Sequence, residues 1–384
     1  MSSSHWRAIR SAAAGVSMAS ACGAKPDDNR LAQRLAPRTA ARLGAHRRAR
    51  RDAAPYNAPM NPHPYERLTP EVVLDALDAV GVRGDGRLLA LGSYENRVYQ
   101  VWPEDGEPVV VKFYRPGRWS AAQIGEEQAF VDELAASEIP AVAPLHLHGA
   151  MLHHYDAFDF AVYPRRGGRA PELDDRAVLT RLGMYVARIH VVGAHHAFEH
   201  RPALSVATLG DDSRAWLLEG SFIPVELRAA YEAVTAQALE GVRGAFERAG
   251  AFTPLRLHGD VHAGNVLWTD AGPHFVDFDD ARNGPCIQDL WMLLSGDRDA
   301  MTAQLRAILE GYERFRLLDP RELHLVEALR TLRLMHYAAW LARRWDDPAF
   351  PAAFPWFGTQ RYWQDRILEL REQVAAMSEP PLTP

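Results

Sequence analysis

The chain has 384 residues, of which 47% are hydrophobic and 24% are charged, which suits a soluble protein with one two-lobed domain or two domains. Its cysteines, Cys22 and Cys286, are too few and too far apart for a disulfide framework. No apolar run approaches the roughly 18–20 residues that a membrane-spanning helix needs. We therefore expect a cytoplasmic protein without an integral membrane segment.

The first 59 residues differ in charge from the rest of the chain. They contain eleven Lys and Arg against three Asp and Glu, whereas the remainder has 32 basic and 46 acidic residues. An acidic body argues against nucleic-acid binding by the folded part. Because residues 1–59 lack an apolar stripe of helical period, we predict a disordered basic tail or a mis-assigned start before Met60. A lipoprotein-type signal ending at Cys22, and a basic arm for nucleic acid or acidic lipid, stay open as alternatives.

Residues 60–163 are rich in short apolar strands separated by turns. The run Thr69-Pro70-Glu71 predicts a helix start, because it combines a cap residue, a first-turn proline and an acid. Ser120 and Gln123 form a capping box for a second helix that we expect to end near Ala136. Short apolar and β-branched runs predict strands at Leu88–Leu91, Arg97–Trp102, Val109–Tyr114, Leu145–His148 and Phe158–Tyr163.

Residues 164–384 have a mostly helical pattern. Apolar positions predict helices at Asp174–Val192, Val225–Ala249, Ile287–Leu294, Thr302–Phe315, Arg321–Arg344 and Arg361–Ala376. One strand-and-loop insert, Leu255–Asp280, interrupts them. The pattern predicts a small antiparallel-sheet N-lobe with one helix over residues 60–163 and a large, mainly helical C-lobe over residues 164–384. This is the outline of an α+β bilobal protein-kinase-like fold.

The insert carries the polar residues with the clearest chemistry. Apolar flanks predict two strands that present Asp260, Asn265 and Asp277 at one mouth. Phosphoryl transfer to a hydroxyl needs a carboxylate that orients the hydroxyl and accepts its proton, and hard oxygen ligands for Mg²⁺ on the phosphates. We therefore predict Asp260 as the proton acceptor, and Asn265 with Asp277 as ligands for Mg²⁺, so that Asp260 and Asp277 are both catalytic.

This block resembles the HGDxHxxN…DxD signature of the aminoglycoside/choline phosphotransferase family, which shares the kinase fold. The five-residue step from Asp260 to Asn265 equals the Asp-to-Asn step of protein-kinase catalytic loops. Further segments are similar to the stress-response kinases of this family, namely Asn96–Tyr99, Val110–Pro116, Phe278–Pro285, Gln288–Met292 and Ala339–Trp345. The resemblance runs from about Met60 to the end of the chain. It implies a cytoplasmic ATP- and Mg²⁺-dependent kinase that phosphorylates protein serine or threonine during stress.

Three residues of the small lobe are candidates for nucleotide binding. Lys112 ends an apolar strand, where it would bind the ATP phosphates. Its acidic partner is expected on the next helix, where Glu126 and Glu127 both qualify and the apolar spacing after Glu127 favours the latter. Ser93 lies in a turn with one glycine, which differs from the GxGxxG of eukaryotic protein kinases and by itself equally suits an ordinary hairpin. The family resemblance places Ser93 over ATP.

The acceptor remains open at this level. A monomeric protein serine/threonine kinase is the preferred hypothesis, and a kinase for an aminoglycoside, a choline-like alcohol or a homoserine-like alcohol is the alternative. Both use the same catalytic residues, so only the acceptor side can separate them. A metallophosphoesterase is a remote alternative, since the additional upstream DxH cluster of that class is absent. A pseudokinase is disfavoured because Lys112, Asp260, Asn265 and Asp277 are all present.

Overall fold

A computed structural model describes residues 63–384, so the predictions made for residues 1–59 lie outside the described residues. The small lobe contains a five-stranded antiparallel sheet in the order β1-β2-β3-β5-β4. Its strands are β1 Gly84–Leu91, β2 Arg97–Pro103, β3 Val109–Phe113, β4 His153–Tyr155 and β5 Phe158–Pro164. Every residue of the central strand β3 is buried, because both faces of the sheet are covered.

Two helices flank this sheet, α1 (Pro70–Ala79) and α2 (Ala121–Ala136). On one face, Leu77 of α1 shares a buried core with Val111 of β3. On the other face, Ile124 of α2 packs with Ala161 of β5. The capping box predicted from the sequence opens α2, with its reciprocal hydrogen bonds in place. The lobe thus has α1 as a second helix in addition to α2, which faces the junction with the large lobe.

The large lobe is mainly helical and encloses two small sheets. Its helices are α3 Arg176–Gly193, α4 Asp212–Glu219, α5 Val225–Ala249, α6 Ile287–Trp291, α7 Arg298–Tyr312, α8 Val326–Arg343, α9 Ala349–Ala353 and α10 Gln360–Ala376. Its strands are β6 Leu255–Leu257, β7 Val266–Thr269, β8 Gly272–Phe275 and β9 Arg282–Gly284, paired as β6–β9 and β7–β8. The predicted polar insert therefore forms strands and loops on a helical base, and the predicted α+β bilobal fold is confirmed.

Several local predictions differ from the structure, and α9 and β9 were not predicted at all. The strand predicted at Leu145–His148 is wrong, because the chain reverses at Gly149 (φ +81°) and Leu147 makes only an isolated bridge to Ala150. The edge of the sheet is formed instead by β4, a few residues later. The helix predicted from Arg321 begins as a 3-10 helix, and α8 proper starts later. Helix α4 has no counterpart among the predicted elements. Within residues 63–384, no helix combines the length and apolar character needed to cross a bilayer.

Candidate active site

A buried lysine joins the two lobes. Lys112 of β3 is 2% exposed, and its Nζ lies 3.0 Å from Oδ1 of Asp279 and 3.3 Å from Oδ1 of Asp277. Oε1 of Glu127, on α2, lies 3.8 Å from the same ammonium. Burial alone would lower the pKa of Lys112, but the three carboxylates outweigh burial and raise that pKa well above its ordinary value. The lysine is therefore a permanent positive charge at the lobe junction.

The adjacent glutamates of α2 have different partners. Glu127 is buried beside Lys112, and its Oε2 lies 3.7 Å from Nη1 of Arg201. The carboxylate of Glu126 accepts hydrogen bonds from the backbone N–H groups of three successive residues, 199–201, at 2.6, 2.9 and 2.8 Å. Against the opposing effect of burial, these bonds lower the pKa of Glu126. Of the two acids that the sequence left as candidates, the structure places Glu127 next to the lysine.

Asp277 has a strained backbone and an unfavourable electrostatic environment. It follows β8 in the left-handed region, with φ +62°, a conformation that costs a non-glycine residue on the order of 1 kcal/mol. Burial raises the pKa of its carboxyl group, and Asp279, Asp280 and Asp260 add to this, against the lowering effect of Lys112. The surplus negative charge at this position is one that a bound cation would neutralise.

Asp279, two residues later, is fully paired by cations. Its carboxylate makes a very short salt bridge to Nη1 of Arg118 as well as the contact with Lys112. Although burial acts in the opposite direction, these cations hold the pKa of Asp279 well below its ordinary value. Arg118 also lies 3.0 Å from Asp280, which is bridged at 2.9 Å by Arg282. Asp279 and Asp280 are thus tied to arginines, whereas within residues 63–384 the shared lysine is the one cationic partner of Asp277.

Asp260 lies in a loop between β6 and β7 and is held by three side chains. Nη1 of Arg333 lies 2.5 Å from its Oδ1, and Nε2 of His262 lies 3.3 Å from its Oδ2. Nδ2 of Asn265 donates to the Asp260 carbonyl at 3.0 Å and to Oδ2 at 3.3 Å. Burial would raise the pKa of Asp260, but Arg333 and His262 outweigh it and hold that pKa well below its ordinary value. The carboxylate is ionised at neutral pH and can accept a hydrogen bond from a hydroxyl.

The loop that carries Asp260 is fixed by its neighbours. Gly259 has φ +84°, and a Cβ there would lie 2.2 Å from the carbonyl oxygen of Asp280, so no other residue fits. The carboxylate of Asp289 accepts hydrogen bonds from the N–H groups of His258 (2.9 Å) and Gly259 (2.8 Å). The imidazole of His258 accepts one from the N–H of Asp260 at 3.3 Å. His258 thus orients the backbone of the loop, and Asp289 ties the loop to α6.

A cleft with an empty volume of about 740 Å³ opens beside Lys112. Its walls include apolar side chains from both lobes and the segment that joins them, among them Leu91, Val110, Val142, Tyr163, Leu267 and Val276. Apolar walls ending at a lysine and a carboxylate suit a planar base followed by phosphates. Ser93 lies in the β1–β2 turn, where its N–H donates to the Leu91 carbonyl at 2.8 Å, and it is not among the described residues that line the cleft.

The oxygen donors at this end of the cleft fit a magnesium ion. Asn265 and Asp277 lie at the open end of the β7–β8 hairpin, where the N–H of Val276 donates to the Asn265 carbonyl at 3.0 Å. Mg²⁺ is usually held by one or two protein oxygens, with phosphates and water completing the shell. Because the amide of Asn265 uses its nitrogen on Asp260, its oxygen is left to act as a ligand. The surplus charge at Asp277 and this amide oxygen together suit a divalent cation.

Sequence reasoning missed the arginines of the site. Arg118, Arg201 and Arg333 come from three separate segments, yet they contact Asp279, Glu127 and Asp260 respectively. Only Arg333 has a sequence feature that could have drawn attention, as a basic residue in a helix with many buried apolar positions. The other two arginines follow turns and have no distinguishing local pattern.

The sheet-bearing lobe and the helical lobe meet at a buried lysine, an apolar cleft and two acidic loops. This arrangement defines a protein-kinase-like phosphotransferase. The sequence model of the phosphotransferase enzyme family APH matches residues 87–326, more than half of the chain. The chain belongs to this family.

Curated relatives match most of the chain. Stress response kinase A of Escherichia coli (strain K12) is 45% identical over 318 residues, which cover 83% of this chain and 96% of the relative. The serine/threonine protein kinase RdoA of Salmonella typhimurium (strain LT2) is 44% identical over 322 residues, which cover 84% of this chain and 97% of the relative. The predicted resemblance to the stress-response kinases is therefore confirmed.

Solved structures share the fold at low sequence identity. An amicoumacin kinase, hAmiN, in complex with AMP-PNP, Ca²⁺ and Ami has a TM-score of 0.64 and 19% identity, and the match covers 82% of this chain and 95% of that chain. A microcompartment-associated aminopropanol kinase has a TM-score of 0.58 and 17% identity, over 78% and 99% of the two chains. At these identities the likeness shows the kinase-like fold.

Proposed function

We propose that this phosphotransferase is an ATP- and Mg²⁺-dependent protein kinase that phosphorylates serine or threonine, acting as a cytoplasmic monomer. The observation that carries the proposal is the contact of Lys112 with Asp277 inside one cleft, with Lys112 braced by Glu127 and with Asp260 near enough to Asp277 to raise its pKa. The 44% identity to a relative named as a serine/threonine protein kinase supports the choice of acceptor. The cytoplasm supplies the ATP that such an enzyme needs.

In this mechanism, the apolar cleft binds the base and Lys112 holds the phosphates. Ser93, in the turn between β1 and β2, would lie over the phosphates. Asn265 and Asp277 would hold Mg²⁺, which when bound neutralises charge on the phosphates during transfer. The ionised carboxylate of Asp260 orients the acceptor hydroxyl and accepts its proton.

Bond changes follow directly from this placement. The hydroxyl oxygen of the acceptor forms a bond to the γ-phosphorus, and the bond between that phosphorus and the β–γ bridging oxygen breaks. The bridging oxygen keeps the electron pair and leaves as part of ADP, and the hydroxyl proton resides on Asp260. Because Gly259 and Asp289 fix the loop, Asp260 needs no large rearrangement to reach the hydroxyl.

A phosphotransfer assay tests the proposal. The purified chain, labelled ATP and Mg²⁺ are incubated with generic protein substrates and, separately, with a panel of aminoglycosides and small amino alcohols. We expect label on protein serine or threonine, located by mass spectrometry, and a rate of labelling that falls by about 10²–10⁴-fold when Asp260→Asn replaces the wild type. Label on a small alcohol and none on protein would contradict the protein-kinase assignment and favour a small-molecule kinase.

A further inference from the structure

An arginine of the large lobe is bonded to the proposed proton acceptor. Arg333, on α8, places Nη1 2.5 Å from Oδ1 of Asp260. The side chain of Arg333 is 41% exposed, whereas that of Asp260 is 17% exposed. The guanidinium is therefore the solvent-facing side of this contact, which we call the mouth of the site.

Arginines pair with the carboxylates on the Asp260 side of the site. The nearby carboxylate of Asp280 is already bridged by Arg118 and Arg282, so it offers little attraction to a positively charged acceptor. One turn after Arg333 on α8, the imidazole of His336 is neutral at pH 7, because burial and then Arg282 lower its pKa to about 3. Arg333 is consequently the charged group of α8 that an acceptor meets first beside Asp260.

The contacts of Asp260 determine which group has to move when a hydroxyl arrives. Oδ2 is shared by His262 and by Asn265, which is 2% exposed and fixed at the base of the hairpin. Oδ1 is bonded to Arg333, a long and partly exposed side chain. An acceptor hydroxyl can reach Oδ1 most easily if the guanidinium turns away from it. A guanidinium that leaves a carboxylate needs another anion, or it loses a charge-assisted hydrogen bond.

We infer that Arg333 is the acceptor-recognition residue and selects an acceptor with a carboxylate or phosphate beside its hydroxyl. The inference rests on the proposed function, because it concerns the acceptor of that same site. The planar guanidinium fork binds carboxylate and phosphate with two parallel hydrogen bonds, so it would move from Asp260 to the anion of the acceptor. The same charge repels polycationic acceptors. On a protein, the matching chemistry is a serine or threonine next to acidic residues.

The test compares acceptors that differ only in charge. One arm uses serine and threonine peptides with Asp or Glu at neighbouring positions, and the matched Asn, Gln and Lys peptides. The other arm uses small alcohols with a carboxylate or phosphate, and their neutral and amino analogues. For each pair, kcat/KM is measured for the wild type, Arg333→Gln and Arg333→Lys. Arg306→Gln, an exposed arginine of α7 with the same change in charge, is the control.

We expect the wild type and Arg306→Gln to prefer the anionic acceptor by about 10-fold or more, mainly through KM. Arg333→Gln should lose this preference, and Arg333→Lys should retain part of it. Since each preference is a ratio measured on one enzyme preparation, partial unfolding does not change it.

A wild type that transfers without preference for anions, or an Arg333→Gln variant with undiminished preference, would overturn the inference alone. Transfer only in the small-alcohol arm, with the same dependence on Arg333, would overturn the protein-kinase assignment and leave the inference standing. Transfer to no acceptor in either arm would overturn both.

Discussion

Lys112 of the small lobe and Asp277 of the large lobe lie 3.3 Å apart, from Nζ to Oδ1, so the two lobes meet at a direct ionic contact. The lysine is shared with Asp279 and Glu127, and three carboxylates therefore face one ammonium. Among the described residues, Asp277 has Lys112 as its cationic partner, whereas Glu127 also contacts Arg201 and Asp279 also contacts Arg118. This difference in pairing predicts opposite effects on stability when Asp277 and Asp279, two residues apart, are each replaced by Asn.

Replacing Asp277 by Asn should stabilise the ligand-free protein. The pKa of Asp277 is raised in the folded protein, so its ionised carboxyl group opposes folding at pH values above the ordinary aspartate pKa. Removing the charge removes this destabilising effect. The same change should weaken Mg²⁺-dependent ATP binding by about 10-fold or more. Melting temperatures with EDTA and with Mg²⁺-ATP measure both effects. A lower melting temperature of Asp277→Asn in EDTA would contradict the surplus-charge interpretation.

Asp279→Asn is the matched comparison, and it should destabilise the protein. Arg118 and Lys112 lower the pKa of Asp279, so its ionised form supports folding above the ordinary aspartate pKa, and this support is lost as the pH falls through the lowered value. Removing one partner of a buried ion pair costs about 3–5 kcal/mol. Denaturant unfolding at pH 7 measures the loss. An unchanged free energy of unfolding would show that these ion pairs do not contribute to the stability of the protein.

Acidification should weaken Mg²⁺-ATP binding at pH values where an ordinary aspartate is still ionised. The raised pKa of Asp277 means that protons compete with the cation at a higher pH than they would for an exposed carboxyl group. Titration calorimetry of Mg²⁺-ATP binding between neutral and mildly acidic pH measures this competition. Asp277→Asn should flatten the pH profile, and a profile that is identical in both proteins would rule out Asp277 as its source.

Asp260→Asn should reduce the rate of phosphotransfer by about 10²–10⁴-fold, because the amide cannot accept the hydroxyl proton. ATP binding should change little, since Lys112 and Asp277 are intact. Asp270→Asn, at the exposed tip of the β7–β8 hairpin, makes the same chemical change outside the site and serves as the control. Wild-type turnover by Asp260→Asn, measured with labelled ATP, would remove Asp260 from the proposed role.

Glu95→Gln should loosen the turn between β1 and β2. The carboxylate of Glu95 lies 2.6 Å from Nε of Arg344 and 3.2 Å from Nε of Arg115, and it accepts a 2.5 Å hydrogen bond from Nε1 of Trp340. Neutralising it removes the carboxylate partner of Arg344, whereas Arg115 keeps its 2.5 Å contact with Asp347. Removing one partner of a buried ion pair costs about 3–5 kcal/mol. We expect a lower melting temperature and a higher KM for ATP. Glu104→Gln, in the exposed β2–β3 turn, should change neither quantity.

The predictable parts of this protein were those encoded by neighbouring residues. The capping box of α2 and the loop from Asp260 to Asn265 each depend on side chains within five positions of one another, so their geometry follows from local sequence. The partners of Asp260 and Asp279 could not be predicted in this way, because Arg333 and Arg118 are 73 and 161 positions away from them in the chain. Long arginine side chains can bridge many arrangements, and only the packed fold selects one.

The strand predicted at Leu145–His148 failed for a related reason. Leucines at alternate positions satisfied the strand pattern, but the N–H of Leu145 bonds to the Val162 carbonyl at 2.7 Å and the chain then turns at Gly149. Competition among segments for the edge of β5 decides which one becomes a strand. By contrast, the apolar spacing after Glu127 favoured it over Glu126, and the structure places Glu127 beside Lys112.

The bonds from Glu126 to the backbone of residues 199–201 have a consequence for motion. Together with the 3.0 Å bond from Gln123 to the His200 carbonyl, they anchor the first half of α2 to the large lobe. The same helix packs against the sheet through Ile124, so it bridges the two lobes. Any rotation of the sheet relative to the large lobe would change the distance between Lys112 and Glu127, so this ion pair reports the relative position of the lobes.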